Sequence, residues 1–430
     1  MTLSFTDHVK RKIESSSAFA VKGILFRLRC LAKPAYLSDE QLANCASHKY
    51  RAVDPNPFNN YFAMPLVDHL LKFTPTWLAP NVLTLSTLVL SMANYALLAY
   101  YDWSMYRSAI ELPVLEPIPR WVWLFLALSI AVCNVFDSLD GKQARRLGAS
   151  SAVGELLDHG TDSWRLGLPT LALLFSVFGR AQFGIAAWNQ VWLVIACQTV
   201  AALSFWLHFV TGTLYYTISS DLAQYFSMWM YGWTFLRGGA RWWQCNGAFP
   251  GFTNAQIAER FIYVAAVGVS SCQLLYFFFK HCKRAPCVTS FVGKSLKSSL
   301  SLLPHITTTL VALLWIRNST ANLLERETRV FTWLLAVVYS DNLWCLLLGC
   351  MSSTRPSSSS YMTLFYLASA VASCTLSGGY SSVERRVLYS AAAVATCAHL
   401  HRAVCTLKQL RDYLGVAFFT VPRTRRLRLE

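Results

Sequence analysis

Charge is scarce in this sequence. Only 14% of its 430 residues are Asp, Glu, Lys or Arg, while 54% are hydrophobic, and the mean hydropathy is +0.37. An ordinary soluble chain carries about 25% charged residues, so this balance excludes one large soluble domain or a string of them. Paired cysteine motifs are also missing. The thirteen cysteines include no C-x-x-C. Cys133, Cys197, Cys272 and Cys397 sit inside apolar stretches and read as small buried hydrophobes, which excludes a zinc framework and a disulfide scaffold. Acidic residues are the scarcer sign, 22 against 38 Lys and Arg, for a net charge of +16. The basic residues lie in short clusters between apolar runs, as in Lys280, Lys283, Arg284, Lys294 and Lys297. That distribution suits the flanks of membrane spans and argues against a nucleic-acid surface. The opening stretch MTLSFTDHVKRKIESSS lacks the apolar core of a cleavable signal peptide, so the first span is expected to act as the targeting signal.

What fills the chain instead is a series of apolar segments. A helix needs roughly 20 residues to cross the hydrocarbon. Candidates are 82–101, 121–136, 166–178, 191–210, 261–280, 299–316, 330–350, 361–376 and 387–407, with a weaker tenth at 214–235 that is rich in aromatics but holds Asp221. The expected fold class is therefore an all-α polytopic membrane protein with about ten transmembrane helices. Ahead of them, Phe58, Phe62, Leu66, Leu70, Phe73 and Trp77 recur at helical spacing, with Asn60, Asp68 and Lys72 between. This predicts an N-terminal amphipathic helix in the membrane interface, bent at Pro65. Ser38 and Gln41 carry a capping-box pattern that opens a short helix before it.

The organisation expected is a cytosolic N-terminal segment with its interfacial helix over 1–80, catalytic helices over 81–235, further membrane helices over 236–407, and a basic cytosolic tail over 408–430. With ten spans and the N-terminus (Lys10, Arg11, Lys12, Arg27, Arg29) in the cytosol, the 280–297 loop and the tail (Arg423, Arg425, Arg426, Arg428) are cytosolic too. Both obey the positive-inside rule, whereas Arg385 and Arg386 fall on the lumenal side and fit poorly.

One segment breaks the apolar pattern. Asp137 and Asp140 stand at i, i+3 and share a helix face; Asp158 and Asp162 stand at i, i+4 and share a face of the next helix. If the two helices pair antiparallel, four carboxylates converge. Their mutual repulsion calls for divalent cations, and hard oxygen donors favour Mg²⁺ or Mn²⁺. Two ions suit phosphoryl-type displacement. Gly141 and Gly154 leave room for a ligand to approach the backbone, and Arg145 offers a planar fork for a phosphate. The plain alternative is a charged loop whose carboxylates pair with Lys142, Arg145 and Arg146.

The full spacing reads D-x2-D-G-x2-A-R-x8-G-x3-D-x3-D, eight fixed residues over 26 positions. It resembles the signature of the CDP-alcohol phosphotransferase family at every fixed position. The spellings DGKQARR, GELLDHGTDSW, LSDEQL, HKYRAVD and APNVLTLSTL are similar to the eukaryotic choline/ethanolamine phosphotransferase branch. Resemblance is clear over roughly the first half of the chain; the second half matches mainly in its number of apolar segments. The resemblance implies that Asp137, Asp140, Asp158 and Asp162 ligate two divalent metals, and that Gly141, Ala144, Arg145 and Gly154 contact the CDP moiety, with Asn81 near the nucleotide. It also implies transfer of phosphoethanolamine or phosphocholine from CDP-ethanolamine or CDP-choline to diacylglycerol. A homodimer and an endoplasmic reticulum or Golgi membrane with the site facing the cytosol belong to the same expectation.

That transfer needs a base for the acceptor hydroxyl. Asp162 is one candidate, although a carboxylate bound to a metal is poorly basic. His159, with an ordinary pKa of about 6.5, is nearer working pH, and Glu155 lies one helical turn earlier, placed to orient the imidazole. Head-group choice is less sharply written. Ser219-Ser220-Asp221-Leu222-Ala223-Gln224 looks more like the ethanolamine branch, yet Tyr215, Tyr216, Tyr225, Trp229 and Trp233 offer material for an aromatic cage around a trimethylammonium. Three other readings compete. A transporter would scatter its carboxylates over several spans. A phosphatidyltransferase using CDP-diacylglycerol is generally smaller. A silent scaffold would have little reason to keep all four aspartates.

Overall fold

Apolar helices dominate the computed structural model of the chain, which describes residues 35–112, 116–167, 169–180, 182–376, 378 and 381–421. The basic residues expected at the two ends, Lys10 to Arg29 and Arg423 to Arg428, lie outside the described residues. Among the described residues six helices are long and apolar enough to cross a membrane: Pro80–Tyr101, Arg120–Arg146, Ala187–Thr211, Asn254–Arg284, Val288–Asn318 and Thr328–Ser352. This is a helical membrane protein. The other expected spans also fall largely on helix, over Pro169–Phe178, Ile218–Leu236, Tyr361–Leu376 and Ser381–Leu414, but each is shorter or less apolar than that requirement.

Helix α1 (Asp39–Ser47) begins where the sequence places its cap. The Gln41 amide donates to Ser38 Oγ at 3.2 Å and the Ser38 amide to Gln41 Oε1 at 3.0 Å, which satisfies two otherwise orphaned groups. Strand β1 (Ala52–Val53) follows. A π-helical turn, Asn59–Ala63, then runs into α2 (Met64–Phe73). Val67 is buried beneath α2, whereas Tyr61, Phe62, Leu66 and Phe73 are exposed.

Helices α3 (Pro80–Tyr101), α4 (Arg120–Arg146) and α5 (Ala152–Gly167) carry the acidic motif. Pro80 sits in the first turn of α3, where its missing N–H costs nothing. α4 packs against α3, and α5 against α3. The turn from α4 to α5 passes through Gly148 at φ +60°, a left-handed conformation that strains any side chain with a Cβ.

The remaining helices brace this trio. α6 (Pro169–Phe178) and α7 (Ala187–Thr211) lead to strand β2 (Leu214–Tyr215), which pairs in parallel with β1, Ala52 opposite Leu214 and Val53 opposite Tyr215. α8 (Ile218–Leu236) packs on α4. Helix Thr328–Ser352 is 94% buried along its most apolar stretch, against 17% for Asn254–Arg284. It packs on α5, α7 and the closing helix Ser381–Leu414, so it is the core of the molecule. The contact with α5 is close: a Cβ on Gly160 would overlap the Trp344 indole. That closing helix continues to Leu414, past the 407/408 boundary drawn from hydropathy.

Candidate active site

The polar end of α4 is fixed from below by α2. Lys142 Nζ donates to Asp68 and to the Met64 carbonyl, Arg146 Nη1 donates to the carbonyls of Leu71 and Thr74 at 2.8 and 2.9 Å, and Gln143 Nε2 donates to those of Pro75 and Leu78. Two of the three nearby cations are therefore committed away from the motif's aspartates. The third, Arg145, is exposed and lies over Gly141; it makes no ion pair among the described residues. The alternative of a self-neutralised loop fails on these contacts.

The motif's carboxylates instead converge with a residue that the sequence reading missed. Arg165 Nη1 lies 2.7 Å from Asp137 Oδ1 on α4 and 2.9 Å from Asp162 Oδ1 on its own helix. Asp140 accepts a hydrogen bond from the Thr84 hydroxyl of α3. Asp158 is close enough to interact electrostatically with Asp140, Asp162 and Asp137. Two of the four carboxylates thus share one guanidinium, and the group keeps a residual negative charge that a partly buried site leaves unbalanced. Ligand atoms of Asp158, His159 and Asp162 lie within 4.8 Å of one another. This donor set, dominated by carboxylate oxygen, fits hard divalent cations. The signal for Arg165 was its i, i+3 step from Asp162, at the end of an otherwise apolar turn.

His159 is buried, with Nδ1 at 3.9 Å from Asp158 Oδ2 and 4.0 Å from Asp162 Oδ2. Glu155 was expected to orient its ring and does not. Its Oε1 faces His48 Nε2 at 3.0 Å, because the segment between α1 and β1 lies across this face of α5 and supplies a nearer partner. Tyr50 follows in the same segment. Its ring is 5.6 Å from that of His159, and its hydroxyl is 2.8 Å from the Tyr216 hydroxyl just beyond β2. The Phe205 ring lies 6.2 Å from that of His159, edge to face.

The residues assigned to nucleotide contact gather at the ends of the same helices. Gly154 lies against Asn81, whose Oδ1 would stand 3.4 Å from a Cβ there. Asn81 Nδ2 donates to the Phe418 carbonyl at 2.9 Å, which brings the chain beyond Ser381–Leu414 to this edge. Gly141 and Ala144 are half-buried on α4. The five aromatics offered for a cage do not gather. Tyr215 stacks on Phe277 at 4.1 Å, Tyr225 donates to Asn59 Oδ1, and Trp229 stacks on Trp233. Tyr216 alone among them reaches the site, with a partner, Tyr50, that hydropathy gave no reason to select.

The second half of the chain holds α5 from behind. Ser340 Oγ donates to the Ser163 carbonyl at 2.9 Å. Trp164 stacks on His399 at 5.5 Å, and His399 Nδ1 and Arg402 Nη1 lie 3.0 and 2.8 Å from the two oxygens of the fully buried Asp341.

A carboxylate cluster held between adjacent helices of a multi-pass membrane protein marks the class: a membrane enzyme with an acidic site whose donor set suits divalent cations. Residues 77–252 match the family described as CDP-alcohol phosphatidyltransferase. Ethanolaminephosphotransferase 1 of Homo sapiens is 31% identical over 387 residues, covering 90% of this chain and 94% of its own length, and that of Mus musculus is equally similar. Choline/ethanolaminephosphotransferase 1 of Saccharomyces cerevisiae is 29% identical over 180 residues, 42% of each chain. The chain belongs to the CDP-alcohol phosphatidyltransferase family.

Proposed function

We propose that the protein transfers phosphoethanolamine or phosphocholine from CDP-ethanolamine or CDP-choline to diacylglycerol, releasing CMP and forming phosphatidylethanolamine or phosphatidylcholine. The observation that carries this reading is the acidic motif of Asp137, Asp140, Asp158 and Asp162 on two neighbouring helices, tied by Arg165 between Asp137 and Asp162, with Arg145 left exposed beside Gly141. The relatives' names favour ethanolamine as the head group.

The four aspartates are the residues that would hold two divalent ions, Mg²⁺ or Mn²⁺. Such ions, when bound, screen the substrate phosphates and stabilise the charge that develops during displacement. Thr84 orients Asp140, and Arg165 keeps Asp137 and Asp162 together. Gly141, Ala144, Gly154 and Asn81 leave the backbone open to the CDP group, and Arg145 supplies a planar donor for phosphate. His159 accepts the proton of the attacking hydroxyl. It is buried beside two carboxylates that favour the imidazolium so formed, whereas Asp162 already accepts from Arg165 and is the weaker base. Glu155, paired with His48, holds the N-terminal segment over the site.

The wider setting belongs to the same proposal. Ten helices cross the membrane, α2 lies in the interface on its exposed aromatic face, and the 81–235 helices form the catalytic part. The enzyme resides in the endoplasmic reticulum or Golgi as a homodimer, with the site toward the cytosol. The test is direct: purified protein in lipid, assayed with each CDP-alcohol, diacylglycerol, and Mg²⁺ or Mn²⁺. Absence of CMP release with both donors refutes the reading.

A further inference from the structure

Two phenols separated by more than 160 positions in sequence meet beside the catalytic helix. Tyr50 and Tyr216 stand 2.8 Å apart through their hydroxyls. The contact is fixed, because β1 and β2 pair immediately next to it: the Leu214 amide donates to the Arg51 carbonyl and the Tyr216 amide to the Val53 carbonyl. Tyr50 keeps 41% of its surface exposed and Tyr216 is half-buried, so the Tyr50 side of the pair is open to a ligand. The Tyr50 ring lies 5.6 Å from that of His159, whose Nδ1 stands 3.9 Å from Asp158 Oδ2. An exposed aromatic face and two phenolic oxygens at the edge of the acidic motif together describe a receptor for a small cation.

We propose that Tyr50 and Tyr216 form the subsite for the ammonium of the donor, and that their hydroxyls select a primary ammonium over a quaternary one. This rests on the transfer reading above. A hydrogen bond between two phenols uses one proton and one lone pair and leaves acceptor capacity on both oxygens. A primary ammonium has three N–H donors to fill it; a trimethylammonium has none. The ring face attracts either cation. The hydroxyls therefore discriminate and the ring does not, so changing Tyr to Phe separates the two contributions while keeping the packing.

The experiment compares wild type, Tyr50→Phe, Tyr216→Phe and the double variant, each as purified full chain in lipid at saturating diacylglycerol. kcat/KM is measured with CDP-ethanolamine and with CDP-choline on the same preparation, so any loss of folded fraction cancels from the ratio. Each single variant should lower the ethanolamine-to-choline ratio by about tenfold, the scale of a hydrogen bond to a charged group, with the change mainly in KM for CDP-ethanolamine. The double variant should lose little beyond a single one, because the two oxygens act as a unit. An unchanged ratio overturns the proposal, and so does an equal fall with both donors. Wild type that uses neither donor sinks the transfer reading itself, which is a separate and recognisable failure.

Discussion

Arg165 and Asp137 are joined across two helices by a contact of 2.7 Å, and the same guanidinium nitrogen reaches Asp162. Arg165 thereby supplies the fixed positive charge around which α4 and α5 close. Arg165→Gln is expected to destabilise the protein by about 1–3 kcal/mol, below the usual range for a broken buried pair because Asp162 is 41% exposed. The stability lost should be greatest in EDTA and largely restored by a divalent ion. Thermal unfolding of variant and wild type, with and without the ion, checks this; equal melting in EDTA refutes the role.

The carboxylates themselves make a stricter prediction. Chelation should abolish transfer and added Mg²⁺ or Mn²⁺ should restore it. Asp140→Asn and Asp158→Asn should each abolish turnover, since one lost ligand misplaces the cation that orients phosphate. Thr84→Val keeps every ligand but frees Asp140, and should raise the ion concentration for half-maximal activity about tenfold. Full activity in either Asn variant excludes the metal assignment.

His159 and Glu155 separate in the structure, and their variants should separate in kinetics. His159→Ala should retain donor binding and lose about 10²-fold or more in turnover, the scale of a general base. Glu155→Gln weakens the contact to His48 and should act on the N-terminal segment, raising its susceptibility to limited proteolysis along with the KM for donor. Near-normal turnover in His159→Ala returns the proton to Asp162.

Gly160 makes a prediction independent of chemistry. Replacing a helical glycine by alanine ordinarily gains about 0.5–1 kcal/mol. Here the new methyl meets the Trp344 indole, an overpacking worth about 1–3 kcal/mol in the opposite sense. Gly160→Ala should therefore lower the melting temperature, and Trp344→Leu in the same chain should recover part of the loss. A stabilised Gly160→Ala would show that α5 is not pressed on that indole.

Membrane orientation is open to a labelling test. Ser150 is exposed in the turn between α4 and α5. Ser150→Cys, in a background without the native cysteines, should react with an impermeant thiol reagent added from the cytosolic side. Labelling from the lumenal side alone reverses the proposed topology.

The acidic motif was readable because its chemistry is local. Asp137, Asp140, Asp158 and Asp162 announce shared faces through i, i+3 and i, i+4 steps, and Ser38 announces a cap three residues ahead of Gln41. The apolar segments likewise declared helices, but not which of them meet lipid, because Leu and Val serve a membrane face and a protein core equally well. Thr328–Ser352 and Asn254–Arg284 look alike in composition and differ about fivefold in burial. Tyr50, His48 and Asp341 were illegible for another reason. Each acts through a partner more than fifty positions away, and no periodicity encodes a contact of that range. Glu155 was misread because spacing offers His159 on the same face, while the nearer His48 arrives from outside the helix.

The burial of Thr328–Ser352 also bears on the order of assembly. This helix is shared by α5, α7 and the closing helix, yet it emerges only after three-quarters of the chain has been synthesised. Until then α5 has no indole to seat Gly160 and no hydroxyl to meet the Ser163 carbonyl, so its Asp158 and Asp162 wait on an incomplete support. Asp341 would enter the bilayer before His399 and Arg402 exist to meet it. A chain stopped between Ser352 and Ser381 should therefore contain the whole acidic motif and still be a quality-control substrate, recognised by a carboxylate stranded in lipid.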